Sequence, residues 1–326
     1  MPAHRRPAVG THLFARTVHG LEHVAAGELR EQGCTVLAVT PRQLVLTAPP
    51  ALSPPRTVDD LFHLVLTTPD PGATKPDLAL LTRALASAPL GVAPTPVLSV
   101  SASMAGRRTY SRHDVEDAVG AVLAARLGAA YATRRDGAKP PPGAADWRVT
   151  LDASGVHIGL RGARPPLHRR PWKVASVPGT LHPPVAAAMV RLAGIRAGDV
   201  VVDPCCGAGT LLAEAPVTAF RAGSDRAGVV AAMANAPDLP WFTADTRALP
   251  YPAGSVDHVL TNPPWDRQVA AHGTFTAFVR EWRRVLRPGG RLTYLGPWDP
   301  PSGWRLVSRH PISLFGQHPV ITVCER

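Results

Sequence analysis

Residues 200–210 read VVVDPCCGAGT, so that three consecutive valines run into a turn that contains two glycines. An unbroken apolar run is typical of a strand buried on both faces, as in a parallel sheet. A glycine-containing turn between a strand and a helix lets backbone N–H groups approach a ligand, and the helix start adds a favourable dipole. Leu212 stands where the dinucleotide-binding fingerprint has its third glycine, which argues against NAD. The stretch predicts an α/β domain that binds a ligand after its first strand.

The residues around this turn alternate between helical and strand-like patterns. A helical pattern covers residues 185–192, and a second helix is expected from Thr210. Strand-like segments follow at residues 220–224, 241–243, 258–261 and 291–295. Residues 304–324 read as two strands joined by a turn near Gly316, which suits an antiparallel hairpin at a sheet edge. The alternation predicts a parallel sheet covered by helices on both faces.

The first half of the chain has an α+β pattern. Strand-like residues 15–18 and 44–46 flank a helical pattern at 21–31, and a second helix is predicted near 58–66. Residues 97–101 alternate as a strand does. The longest helix is predicted for residues 111–127, with Ser111 as N-cap and Asp114 three residues later. Residues 148–160 form two strand patterns around Ala153-Ser154-Gly155, which predicts a hairpin.

Prolines and arginines interrupt the periodic patterns at residues 164–183. We therefore expect an N-terminal region at residues 1–165, a linker at 166–183 and a second domain at 184–326. Two domains also suit a length of 326 residues.

The formal net charge of the chain is +11. Residues 1–170 hold 20 Lys+Arg against 13 Asp+Glu, so most of this excess lies in the first half. Such a balance favours a polyanionic partner. Apolar runs stay well below the roughly 18 residues of a membrane helix, and the first residues lack a signal-peptide pattern. These features predict a soluble cytoplasmic protein. The four cysteines lack zinc-site spacing, so no metal is expected.

Three acids fall at successive strand ends of the second domain: Asp203, Asp225 and Asp245. Asp225 follows Asp203 by 22 residues, the distance at which doubly wound folds place an acid on ribose hydroxyls. Each aspartate alone is consistent with an ordinary turn residue. Their recurrence at one edge of the sheet favours a ligand site.

The fourth strand ends in Asn262-Pro263-Pro264-Trp265. Two prolines cannot continue a sheet ladder, so the Asn262 amide and the Pro263 carbonyl are expected to face the crevice. There, these two acceptors could bind the hydrogens of an amine and stabilise a positive charge that develops on it. Trp265 would stack on a base swung out of its helix. The alternative is a plain proline turn.

DPCCGAGT, the acids Asp225 and Asp245, and NPPW together resemble the class I methyltransferases that modify exocyclic amines. The order of the two halves is similar to that of the THUMP-containing tRNA guanine-N2 methyltransferases. In that family an N-terminal ferredoxin-like and THUMP unit binds RNA, and a Rossmann-like domain carries the site. Residues 97–127 and 147–160 resemble the THUMP pattern, and residues 167–183 resemble the family linker. Asp266 departs from the glycine of many members, which affects the expected shape of the base pocket.

The resemblance implies S-adenosyl-L-methionine as the methyl donor and RNA, in particular tRNA, as the partner. It implies a catalytic set of Asn262, Pro263 and Trp265. The cofactor-binding residues that it implies are Thr180, Asp203, Cys205, Gly207, Gly209, Thr210, Asp225, Arg226, Asp245, Thr246 and Asn262.

Six arginines are candidate RNA contacts: Arg107, Arg108, Arg134, Arg135, Arg169 and Arg170. For any one of them a solvated surface role is the alternative. Three other functions also stay open: methylation of guanine N2 in rRNA, methylation of adenine N6 in DNA, and RNA binding by a relative that has lost catalysis.

Overall fold

The computed structural model describes residues 11–162, 165–265 and 274–326, and these residues form two sheets. The first sheet has eight strands in the order β2-β3-β1-β4-β8-β7-β5-β6. Its strands are β1 (Thr11–Arg16), β2 (Thr35–Thr40), β3 (Gln43–Ala48), β4 (Asp60–Thr68), β5 (Val97–Met104), β6 (Ala130–Tyr131), β7 (Ala145–Asp152) and β8 (Gly155–Arg161). The helices that accompany them are α1 (Glu22–Glu31), α2 (Leu78–Ser87) and α3 (Arg112–Leu127).

The second sheet has seven strands in the order β11-β10-β9-β12-β13-β15-β14. Its strands are β9 (Val200–Asp203), β10 (Phe220–Asp225), β11 (Trp241–Thr243), β12 (Val256–Thr261), β13 (Leu286–Gly296), β14 (Arg305–Pro311) and β15 (Val320–Glu325). The helices are α4 (Pro183–Ala193), α5 (Thr210–Glu214), α6 (Val230–Asn235) and α7 (Thr274–Val285). Strands β9 to β13 are parallel, and β15 is antiparallel to both of its neighbours. The strand order reverses between β9 and β12, and open α/β sheets bind ligands at such a reversal.

The predicted fold class is confirmed. The second sheet is Rossmann-like, and the predicted C-terminal hairpin is present as β14 and β15. The helix predicted from Ser111 is present as α3, where Ser111 and Asp114 form a capping box. The hairpin predicted around residues 153–155 is present as β7 and β8. Among the described residues, no helix is long and apolar enough to cross a membrane.

The helix predicted near residues 58–66 is wrong, because these residues belong to β4. The register between β4 and β8 shifts between Leu64 and Leu66. This irregularity breaks the two-residue alternation of a strand, so the apolar side chains fall at spacings that resemble a helix. The pairing of β4 with β1 and β8 decides the structure here.

Helix α1 joins the two sheets. Its residues Ala25, Ala26 and Leu29 pack into the core of the first sheet. Leu21, just before the helix, and Val24 pack instead into a core that contains Val185 and Met189 of α4. The second sheet is therefore held against the first by a shared apolar core.

Candidate active site

The carboxyl ends of β9, β10 and β12 meet at one edge of the second sheet, because these strands are parallel. The register aligns Asp203 with Gly223 and Val202 with Val259. This alignment places the turn after β9 beside the turn after β12. The glycine-rich turn and NPPW therefore border one crevice.

Two carboxylates accept hydrogen bonds from the backbone of the glycine-rich turn. The Cys205 N–H donates to Asp203 Oδ1 at 3.1 Å, and the Gly207 N–H donates to Asp225 Oδ2 at 2.9 Å. Gly209 has a φ of +74°, and a Cβ there would lie 2.7 Å from the Trp241 ring. Glycine is thus required at residue 209 by both backbone angle and space. Helix α5, which follows, has five residues, so the dipole expected from the sequence is small.

Asp203 lies beneath the turn and is 2% exposed. Burial, together with the nearby charge of Asp225, raises the pKa of the carboxyl to about 7, although the Cys205 hydrogen bond acts in the opposite direction. Burial also raises the pKa of the Cys205 and Cys206 thiols, which disfavours thiolates. Both cysteines are free. In this structure Asp203 supports the turn from within the protein.

Asp225 is half-buried and accepts two backbone hydrogen bonds. Besides the Gly207 bond, its Oδ1 accepts the Ala227 N–H at 2.9 Å. Each carboxylate oxygen has a further lone pair, so the carboxylate can still accept ribose hydroxyls. Arg226, the next residue, is exposed.

Asp245 and Thr246 follow β11. Asp245 pairs with Arg247 at 2.6 Å, and hydrogen bonds from Arg247 lower the pKa of Asp245 to about 2. Thr246 is buried, and its hydroxyl accepts the indole N–H of Trp282 at 2.8 Å. Thr246 thus fixes α7 against this edge of the sheet, and Asp245 keeps a full negative charge.

The NPPW turn has its side chains bonded to one another. Asn262 Oδ1 accepts the indole N–H of Trp265 at 2.8 Å, and Asn262 Nδ2 donates to the Gly179 carbonyl at 3.4 Å. Pro263 is buried, and the half-buried Trp265 packs against the core that contains Leu260 and Leu295. The orientation of the Asn262 amide is thus set by Trp265, with a weaker contact to the turn at Gly179. Asp266 lies outside the described residues.

A segment of the predicted linker lies over the glycine-rich turn. Asn235 Oδ1 accepts the N–H groups of Val174 and Ala175, both at 2.8 Å. Asn235 Nδ2 donates to the carbonyls of Ala175 at 2.9 Å and Ala208 at 2.8 Å. Thr180 closes the next turn by bonding to the Val177 N–H and carbonyl. Asn235 therefore joins the linker to the glycine-rich turn. This role of Asn235 could not be predicted from the sequence, because no local pattern connects these segments.

The six arginines that were candidate RNA contacts have different environments. Arg108 is bonded to Asp70, Gly72 and Tyr110, and its side chain is only 7% exposed. Arg170 is bonded to the buried Glu214 and to two carbonyls, and its side chain is 9% exposed. Both guanidiniums are nearly inaccessible and bond mainly to groups of the protein, although Arg108 Nε is buried without a partner, so neither is placed to contact RNA.

The other four candidates stay accessible. Arg107 and Arg169 are exposed, and Arg135 pairs with Asp114 and Asp117 at the surface. Arg134 lines a cavity. No group of three or more His, Cys, Asp or Glu side chains suited to a metal ion occurs in the described ranges.

The crevice fits a nucleoside-containing cofactor. The Thr210 hydroxyl at the start of α5 is buried without a hydrogen-bond partner among the described residues. A Cβ on Gly207 would lie 3.5 Å from Val177, so the glycine keeps the gap between the turn and the linker open. Asp225 offers acceptors at the end of the next strand. The sheet order, this turn and the NPPW motif define a class I methyltransferase.

Comparison with known proteins gives the family. Residues 170–234 match the UPF0020 family, described as "RMKL-like, methyltransferase domain". The chain is 30% identical over 250 residues to the tRNA (guanine(6)-N2)-methyltransferase of Thermus thermophilus, covering 70% of this chain and 72% of that protein. It is 30% identical over 148 residues to the tRNA (guanine(10)-N2)-dimethyltransferase of Methanothermobacter thermautotrophicus, covering 41% of this chain and 42% of that protein.

The crystal structure of TrmN from Thermus thermophilus superposes with a TM-score of 0.75 at 26% identity, covering 97% of this chain and 99% of that one. The chain belongs to this family of guanine-N2 methyltransferases, and it is an S-adenosylmethionine-dependent methyltransferase.

Proposed function

We propose that the chain transfers a methyl group from S-adenosylmethionine to the exocyclic N2 amine of a guanine in tRNA. The relatives from Thermus thermophilus and Methanothermobacter thermautotrophicus are named for this atom and this kind of RNA. The observation that carries the proposal is the NPPW turn, whose Asn262 amide is fixed at the crevice beside the glycine-rich turn.

The reaction needs precise placement more than a strong base. The cofactor supplies an electrophilic sulfonium methyl, so the carbon–sulfur bond breaks as the bond to N2 forms. The N2 lone pair is delocalised into the guanine ring. Acceptors at Asn262 Oδ1 and the Pro263 carbonyl would hold the amine hydrogens and favour a pyramidal nitrogen. The methylated amine then carries a positive charge and releases its proton to water.

Trp265 adds a second role in this proposal. The Asn262 amide oxygen has two lone pairs, and the Trp265 indole uses one of them. The other lone pair stays available for an amine hydrogen. We therefore assign to Trp265 the orientation of the Asn262 amide, in addition to the proposed stacking on the target base.

We propose that RNA docks on residues 1–165, that residues 166–183 link the two parts, and that residues 184–326 carry the chemistry. The excess of basic residues in the first half supports this division. A THUMP-like role for the part of the first sheet around β5 to β8 belongs to the same proposal. Arg107, Arg134, Arg135 and Arg169 are the proposed contacts to RNA phosphates.

Methylation of purified substrates tests the proposal. The protein is incubated with methyl-labelled S-adenosylmethionine and with tRNA, rRNA or duplex DNA, and the nucleosides are analysed by mass spectrometry. We expect N2-methylguanosine from tRNA. Label in rRNA alone, or in N6-methyladenine of DNA, would replace this substrate with one of the alternatives. Cofactor binding without any labelled product would identify a relative that has lost catalysis.

A further inference from the structure

A cavity of about 320 Å³ lies in the first sheet, away from the methyltransferase crevice. It is bordered by β5, the first turns of α3, the segment after β6, and β7. Strand β6 pairs with β5 only at Val97 and Leu98, so the rest of that edge of β5 is not covered by a strand. The chain after β6 diverges from the sheet there and leaves the cavity open. Its volume lies at the lower end of the range of ligand pockets, about 300–1,000 Å³.

Three arginines from three different segments line this cavity: Arg112, Arg134 and Arg148. Arg148 comes from β7, and its Nε is buried with no hydrogen-bond partner. The nearest acceptor of its Nη1 is the Ser101 hydroxyl at 3.4 Å, which is a weak contact. Within the described ranges, none of the three guanidiniums lies within ion-pair distance of a carboxylate.

The one carboxylate that lines the cavity is already engaged. Glu116 Oε1 accepts the Ala102 N–H at 2.8 Å, and Oε2 lies 3.0 Å from His113 Nδ1. Glu116 therefore closes the uncovered edge of β5 and leaves the arginines with excess positive charge. The charge of Glu116 offsets only part of the charge of the three arginines, and an anionic ligand would offset the rest.

We propose that this cavity binds a phosphate group of the RNA backbone. The inference rests on the proposed function and gives the RNA a second, specific attachment point. Guanidinium groups match phosphate oxygens with paired hydrogen bonds, and three of them converge here. The cavity lies in the first sheet and the proposed base pocket at the edge of the second, so the phosphate would be contacted separately from the methylated base.

Arg134→Ala is the test variant, because this side chain lies on a surface segment and its removal does not expose the core. The matched control is Arg83→Ala on α2, which removes one exposed arginine from the same half and no cavity residue. Binding of whole tRNA is measured at several salt concentrations with the full-length protein. We expect Arg134→Ala to weaken binding about tenfold and to lower the salt slope by about one. The control should keep the wild-type slope.

Arg148→Lys gives a second measurement, since it keeps the charge and loses the planar fork. We expect it to weaken tRNA binding while leaving cofactor affinity unchanged. Equal losses in Arg134→Ala and Arg83→Ala would overturn the proposal in favour of diffuse electrostatic attraction. Wild-type tRNA binding by Arg134→Ala would also overturn it.

The source of the phosphate is tested by competition. Inorganic phosphate or a free nucleoside monophosphate should displace tRNA only weakly, and Arg134→Ala should reduce that displacement. A small phosphate that saturates the cavity without affecting tRNA binding would overturn the assignment to RNA. The salt dependence of tRNA binding is measured independently of methylation. Failure to find N2-methylguanosine would overturn the proposed function. A salt slope lowered by Arg134→Ala would still support phosphate binding in the cavity.

Discussion

At the scale of single residues, the orientation of the Asn262 amide is set mainly by Trp265, whose indole N–H donates to Asn262 Oδ1 at 2.8 Å. Asn262 Nδ2 makes a weaker contact of 3.4 Å to the Gly179 carbonyl. An amide oriented in this way presents a fixed acceptor and needs little reorganisation during a reaction. The proposed role of Asn262 in the chemical step rests on this orientation.

Asn262→Ala should lower the rate of the chemical step by about 10²–10³, the typical cost of removing a preorganised polar group of this kind. Cofactor affinity should change much less, since the amide is assigned to the base. Asn262→Asp keeps an acceptor for Trp265 and should retain more activity than alanine. Single-turnover rates at saturating RNA and cofactor measure this effect.

Trp265→Phe is the control for this series, because it removes the indole N–H and keeps an aromatic ring. Its rate should fall between those of the wild type and Asn262→Ala. Equal rates for Asn262→Ala and the wild type would return Asn262 to the role of a turn residue.

Asp203 gives a dependence of stability on pH. The pKa of its carboxyl is about 7 in the folded protein, well above the ordinary value of 3.8. The folded state therefore holds the proton more tightly, and stability falls as pH rises from about 4 to 7. Asp203→Asn cannot ionise, so its stability relative to the wild type should increase across this interval.

Urea unfolding of both proteins at several pH values measures this effect. Asparagine keeps an acceptor for the Cys205 N–H, so the support of the turn is largely retained. A difference in unfolding free energy that does not change between pH 4 and 7 would show that the Asp203 carboxyl is not buried as a neutral group.

At the scale of secondary-structure elements, the sequence predicted the helices and strands whose patterns depend on neighbouring residues. The capping box at Ser111 and the valines of β9 depend on neighbouring residues, and both predictions hold. Strand β4 was not predicted because its bulge interrupts the alternation of buried and exposed residues that is typical of a strand. Strand β2 was missed because its residues are mostly exposed and show no buried face. Local patterns therefore fail where a distant strand fixes the register.

The same distinction applies to the site. The acids and NPPW could be placed at strand ends because parallel strands share an edge. Asn235 could not, since its partners Val174 and Ala175 lie about 60 residues away in the sequence. Arg108 and Arg170 were expected to face RNA, and only the fold shows that they turn inward.

Asn235→Ala should weaken cofactor binding about tenfold, because three hydrogen bonds to the linker and one to Ala208 of the glycine-rich turn would be lost. The rate at saturating cofactor should stay close to that of the wild type. Calorimetry and single-turnover rates separate these two quantities.

Asn235→Asp is the matched control, since it keeps the acceptor for Val174 and Ala175 and loses the two donors. Its cofactor affinity should lie between those of the wild type and Asn235→Ala. Wild-type cofactor affinity in a folded Asn235→Ala protein would show that these hydrogen bonds have no part in the site.

At the scale of the whole molecule, one buried carboxylate connects the two halves. Glu214 of α5 is 0% exposed and pairs with Arg56 of the first half and Arg170 of the linker, both at 2.7 Å. The shared core of α1 and α4 lies between the same two parts. Deleting residues 1–165 would expose this core, so point variants are the better test of the division of labour.

Arg170→Ala should destabilise the protein by about 3–5 kcal/mol, because it leaves a buried charge with one partner that is itself half exposed. Chemical denaturation measures the loss, and Arg169→Ala, an exposed neighbour, is the control. An unchanged stability together with weaker RNA binding would restore Arg170 as an RNA contact.

Nucleosides from cells show whether the intact molecule methylates guanine N2 in tRNA. A strain lacking the gene is complemented with the wild type or with Asn262→Ala, and total tRNA is digested and analysed by mass spectrometry. We predict that N2-methylguanosine decreases in the deletion strain, returns with the wild type and does not return with Asn262→Ala. Unchanged N2-methylguanosine together with the loss of a different methylated nucleoside would contradict it.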